Sequence, residues 1–146
     1  MQLNAISELA KALPVLKGRI GDELLSKAES LYRDLSSDRT QDKLLHGDLH
    51  HDNILLGQSG WKAIDPQGYA GDPVFEVGAM IYNPLGACPV ERRLKILAEE
   101  LPFDRQRIRD WAFCRTLLCL AWHAEDHGVL PGPIVEVAKA IDSYQF

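Results

Sequence analysis

Apolar positions recur first at helical spacing. From Ala5 to Lys17, Ile6, Leu9, Ala10 and Leu13 share one face, and Pro14 is expected to break or bend that helix. Gly18 to Leu35 carries a stronger stripe of Ile20, Leu24, Leu25, Ala28, Leu31, Tyr32 and Leu35. Ser36 to Asp42 is a polar link, after which the pattern shortens. Leu44-Leu45, Ile54-Leu55-Leu56 and Trp61-Lys62-Ala63-Ile64 read as strands, with Gly57-Gln58-Ser59-Gly60 as the turn between the last two. Residues 65–73 form a loop rich in Gly, Pro and Asp. Helical spacing resumes at Val74, Val77, Met80 and Ile81 and stops at Asn83-Pro84. Three more helices are predicted, over 90–101, 104–126 and 134–144, with Asp104 as an N-cap and Gly128 as a C-terminal stop. The helix from 104 is the longest and most apolar, and its Trp111 and Trp122 are expected in the core. The expected fold is mostly α with a small β-hairpin.

The polar residues crowd onto that hairpin. Positions 46–53 read HGDLHHDN, directly before the apolar run Ile54-Leu55-Leu56. A two-residue loop at Gln58-Ser59 sets Asn53 opposite Ile64 and Asp52 opposite Asp65; a slip of one residue sets Asn53 opposite Asp65. Facing residues in such a ladder lie roughly 4.5–5.5 Å apart. Either register brings the Asn53 amide and the Asp65 carboxylate to one open end of the hairpin. Two hard oxygen donors at that separation suit Mg²⁺, with waters and substrate phosphates completing its octahedron. Asp48, five residues before Asn53, lies in the loop leading into the strand, where its carboxylate can overlook the cation.

An Asp, an Asn five residues on, and a second Asp after a hairpin together resemble the catalytic centre of the kinase fold. His46-Gly47-Asp48-Leu49-His50, with Asn53, looks like the aminoglycoside phosphotransferases. Ile64-Asp65-Pro66, then Gly71-Asp72-Pro73 and Glu76, is similar to their branch of streptomycin 6-kinases and hydroxyurea-type resistance kinases. The close resemblance covers Leu44 to Pro84. It implies Asp48 as the catalytic base, Asn53 and Asp65 as Mg²⁺ ligands, His46 as a brace of the catalytic loop, and His50 near the transferred phosphate. Asp72 would order the loop before the next helix and take a part in the acceptor pocket. The implied reaction is ATP- and Mg²⁺-dependent phosphorylation of a small-molecule hydroxyl, for which an aminoglycoside such as streptomycin is the leading acceptor. A polycationic acceptor needs carboxylates around it, and Glu125 and Asp126 are candidates.

The same resemblance implies a β-rich nucleotide-binding lobe ahead of the catalytic loop. The 45 residues before His46 read as helices, and neither GxGxxG nor GxxxxGK[ST] occurs. The chain is therefore expected to be the C-terminal lobe of a protein-kinase-like fold. Its lead-in would cover 1–43, its catalytic loop, hairpin and metal loop 44–73, and its helices 74–146. A lone lobe would expose its inter-lobe surface, so a homodimer covering that patch is expected. Two other readings stand beside this one: an inactive truncated remnant or acceptor-binding module, and a Zn²⁺ hydrolase using His46, Asp48, His50, His51 and Asp52.

Composition narrows the classes. With 146 residues, 46% hydrophobic and 25% charged, the chain can bury a core without staples. A net charge of −5 argues against binding a phosphate backbone, and the basic residues from Arg92 to Arg109 alternate with acidic ones as on a solvated helix face. His123 and His127 are four apart but lack the HExxH arrangement, so a helix end is expected there. Three cysteines without CxxC spacing predict reduced thiols. No apolar run reaches about 18 residues and no leader pattern opens the chain, which predicts a cytoplasmic protein without a membrane span.

Overall fold

A computed structural model describes residues 3–146; Met1 and Gln2, the first positions of the expected lead-in, lie outside the described residues. Strand β1 (Leu3–Asn4) leads straight into helix α1 (Ala5–Leu16), whose N-cap Asn4 accepts from the Ile6 and Ser7 amides. Pro14 does not break α1. It stands in the last turn, two residues before the helix ends at Leu16 with Lys17 as its C-cap. Gly18, at φ +72°, turns the chain away, so α2 (Asp22–Ser36) starts later than the apolar stripe suggested. It buries Leu24, Ala28, Leu31 and Leu35.

The hairpin takes the first of the two registers. Strands β3 (Ile54–Gly57) and β4 (Gly60–Ala63) pair Ile54 with Ala63 and Gly57 with Gly60 around Gln58-Ser59. The Ile64 amide donates to the Asn53 carbonyl at 2.9 Å and extends the ladder by one rung. A second sheet was not anticipated. Within the Gly/Pro/Asp-rich loop, β5 (Tyr69–Gly71) pairs antiparallel with β2 (Lys43–Leu45) and parallel with β1, giving the order β1-β5-β2. Leu44-Leu45 thus belongs to this sheet and not to the hairpin.

A 3-10 turn over Pro73–Glu76 leads into α3 (Val77–Tyr82), followed by α4 (Val90–Glu100), α5 (Arg105–His127) and α6 (Gly132–Ser143). Asp104 caps α5 by accepting from the Arg107 amide, and Gly128 closes it at φ +73°. Every residue from Trp111 to Ala121 is buried, so α5 is covered on all sides, with α1, α2, α3, α4 and α6 packed on it. Its apolar run includes one charged residue, Arg115. Arg93 on α4 donates to the carbonyls of Met80, Ile81, Asn83 and Pro84, and so satisfies the end of α3. No helix of the described residues is long and apolar enough to cross a membrane.

The hairpin exposes several large apolar side chains. Trp61 is 72% exposed and Leu56 67%, with Leu55 and Ile64 exposed beside them.

Candidate active site

The loop from His46 to Asn53 leaves the second sheet at Leu45 and enters the hairpin at Ile54, so both ends are anchored in strands. Gly47, at φ +89°, makes the first turn. A Cβ there would stand 2.2 Å from the Tyr69 ring, so only glycine fits. Its amide donates to both oxygens of Glu76, at 3.1 and 3.2 Å.

His46 spans the loop and the strand that returns from the hairpin. Its Nε2 donates to the Ile64 carbonyl at 2.7 Å, and its Nδ1 accepts from the Asp48 amide at 3.3 Å. That pair of bonds fixes one neutral tautomer and leaves no ring nitrogen for a metal. His50 behaves likewise. Its Nδ1 accepts from the Asp52 amide, which puts the proton on Nε2, 3.4 Å from Asp48 Oδ2. Among the described residues no three His, Cys, Asp or Glu side chains form a metal cluster. The zinc set considered from sequence is therefore not assembled: His46 is spent on the backbone, while His51 and Asp52 are exposed.

Asn53 turns its amide nitrogen onto Asp48, donating to the carbonyl at 2.9 Å and to Oδ2 at 3.3 Å. The amide oxygen is thereby left as the group available to a cation. Asp65 follows Ile64, the residue paired with Asn53, and is exposed. It is the one non-glycine at positive φ (59°) among the described residues, a conformation that Asp tolerates better than most. Asn53 and Asp65 supply hard oxygens, the donor chemistry that Mg²⁺ takes.

Asp48, Gly47, Gln67, Tyr69, Arg115 and Trp122 line a cavity of about 340 Å³. The Arg115 guanidinium lies between the rings of Phe75 and Trp122, at 4.8 and 4.6 Å, and its Nη2 donates to the Gly47 carbonyl at 2.9 Å. Burial pushes the Tyr69 hydroxyl above its ordinary range, partly offset by the Arg115 charge. Burial likewise raises the Cys114 and Cys119 thiols, which are free and inert as nucleophiles.

No sequence motif pointed to Arg115, and Trp122, expected in the core, is partly exposed at this cavity. A lone arginine inside the run from Trp111 to Trp122 was the available signal. Asp72 is buried and fully engaged: it accepts from the Val74 amide and Trp111 Nε1 and pairs with Arg107. It lines a different cavity, shared with Asp38, Gln41 and Phe103. Glu125 and Asp126 are exposed near the end of α5 and are not among the residues lining the Asp48 cavity.

Residues 7–127 match the profile of the family described as aminoglycoside/hydroxyurea antibiotic resistance kinases. The chain belongs to this family. A hydroxyurea phosphotransferase from Kitasatospora aureofaciens is 34% identical over 95% of the chain and 44% of its own length. A streptomycin 6-kinase from Streptomyces glaucescens is 31% identical over 93% of the chain and 47% of its length. A streptomycin 3''-kinase from Klebsiella pneumoniae is 35% identical over 70% of the chain and 42% of its length. The chain thus spans less than half of these resistance kinases. No solved structure matches it.

Proposed function

We propose that this chain is the C-terminal, catalytic-loop lobe of a protein-kinase-like phosphotransferase that uses ATP and Mg²⁺ to phosphorylate a hydroxyl of a small molecule, an aminoglycoside such as streptomycin. The observation that carries the reading is the state of the Asp48 carboxylate. Its Oδ2 faces Asn53 and His50, while the residue borders a cavity of about 340 Å³. Asp48 is the base for the acceptor hydroxyl, since a carboxylate within hydrogen-bond reach of that proton is what the step requires. Asn53 and Asp65 hold Mg²⁺, which when bound neutralises charge on the transferring phosphoryl group. His46 keeps the Asp48 and Asp65 segments in register, and the unusual φ of Asp65 is the kind of strain that collects at ligand sites.

The acceptor assignment draws on the family. One relative bears the name of a hydroxyurea enzyme and two bear the name of streptomycin enzymes acting at different positions. The acidic net charge favours the cationic candidate. In the whole protein, the exposed apolar hairpin face would meet the nucleotide-binding lobe; in the isolated chain, a second copy would cover it.

The test is ATP turnover by the purified chain with Mg²⁺ and streptomycin, with hydroxyurea in parallel, and calorimetric titration of each ligand alone. Turnover abolished by Asp48→Asn is expected. Streptomycin binding without turnover would assign the chain as an acceptor-binding module, and turnover indifferent to Asp48→Asn would refute the reading.

A further inference from the structure

Gly47 is held at three points. Glu76 takes its N–H, the Tyr69 ring blocks its Cα face, and Arg115 holds its carbonyl. The two peptide groups flanking Gly47 are thus each gripped by a charged side chain, one from the turn before α3 and one from the middle of α5. The second of these groups carries the Asp48 amide, so its orientation sets where the Asp48 side chain begins.

Arg115 is costly to keep there. It is 2% exposed, and among the described residues its Nε and Nη1 have no hydrogen-bond partner. A buried guanidinium with two unmet donors destabilises a fold, and a Met or Leu would fill the space between Phe75 and Trp122 without that cost. The neighbourhood is nonetheless shaped around it: a Cβ on Gly78 would lie 2.2 Å from Arg115 Cβ and 2.3 Å from its Cγ. Arg115 Nη2 is also 3.9 Å from Asp48 Oδ1, close enough to attract that oxygen and too far to hydrogen-bond with it. Asn53 and His50 hold Oδ2, so the carboxylate is oriented from both sides while Oδ1 keeps its capacity to accept a proton.

We propose that Arg115 is a positioning residue for phosphoryl transfer, gripping the Gly47 carbonyl against the pull of Glu76 and so fixing the direction in which Asp48 presents Oδ1 to the acceptor. The proposal rests on the phosphotransferase reading of Asp48. Its test uses this chain as wild type, Arg115→Met and Arg115→Lys. Amide hydrogen exchange by NMR reads the grip without any need for turnover. In Arg115→Met the Asp48 amide, which shares the gripped peptide group with the Gly47 carbonyl, should exchange at least about tenfold faster, the loss expected for a charge-assisted bond. The change should stay within residues 46–53, with α5 protection unchanged. In the turnover assay with MgATP and streptomycin, kcat should fall about 100-fold while both KM values stay within about twofold, and Arg115→Lys should recover part of it. Unchanged Asp48 exchange overturns the proposal, as does loss of protection spread over α3 and α5, or loosened exchange with an unchanged kcat. Absence of turnover in the wild type counts against the phosphotransferase reading instead, and the exchange result still decides whether Arg115 holds the loop.

Discussion

Replacing Asp72 with alanine separates a structural role from an acceptor role. Its carboxylate accepts from the Val74 amide at 2.9 Å and from Trp111 Nε1 at 2.8 Å, and it pairs with Arg107. Losing the cap of the Pro73–Glu76 turn costs ~1 kcal/mol. Trp111 is fully buried, so its stranded indole N–H adds ~1–3 kcal/mol. Arg107 is about one-third exposed and can rehydrate, adding ~0.5 kcal/mol. The sum is ~3 kcal/mol, or a melting temperature lower by about 10 °C for a chain of this size. Asp72→Asn keeps one acceptor oxygen and should cost about a third as much. Calorimetric melting measures both, and streptomycin titration on the milder variant measures acceptor affinity. A loss below ~1 kcal/mol in Asp72→Ala, with acceptor affinity falling in Asp72→Asn, would refute this account and return Asp72 to the acceptor pocket.

Two further outcomes follow from individual side chains. Gly47→Ala forces a methyl group into the Tyr69 ring, itself stacked on Phe75, and should cost at least ~2 kcal/mol; Gly60→Ala, also at positive φ but with open space around it, should cost less, and paired thermal melts compare them. Burial holds the Asp110 carboxyl above its ordinary value, against the opposing effects of Gln106 and Arg109. The native state therefore binds that proton more tightly than the unfolded chain, and stability falls as pH rises from the ordinary carboxylate range through the raised value. Asp110→Asn should remove that part of the slope and raise stability at neutral pH; parallel denaturation curves for wild type and variant between about pH 4 and 7 would contradict this.

What could be read from sequence follows the length of each element. The α2 stripe repeats over several turns, and Leu24, Ala28, Leu31 and Leu35 are all buried. The Gly57–Gly60 turn sets the hairpin register, because a two-residue loop leaves little freedom. Of the β1-β5-β2 sheet only β2 was legible, at Leu44-Leu45: strands of two or three residues have no period, and β5 is defined only by partners distant in sequence. Pro14 costs the bond to the Ala10 carbonyl, but only Val15 and Leu16 follow it in the helix, so it marks where α1 ends and not a break within it. At the site, Asp48 and Asn53 were readable because local spacing brings them together. The bond from Arg115 to Gly47 joins residues 68 apart, and no spacing rule reaches it. Glu125 and Asp126 have only their charge to suggest an acceptor role, and α5 leaves both exposed outside the lining of the Asp48 cavity.

The most direct test of the account is diffraction at the manganese edge from crystals grown with Mn²⁺ and a non-hydrolysable ATP analogue. The account predicts one anomalous peak within about 2.0–2.3 Å of Asn53 Oδ1 and an Asp65 carboxylate oxygen, with the Asp48 carboxylate overlooking it. A peak elsewhere, or residues 48, 53 and 65 directed to separate surfaces with no ion among them, would contradict it.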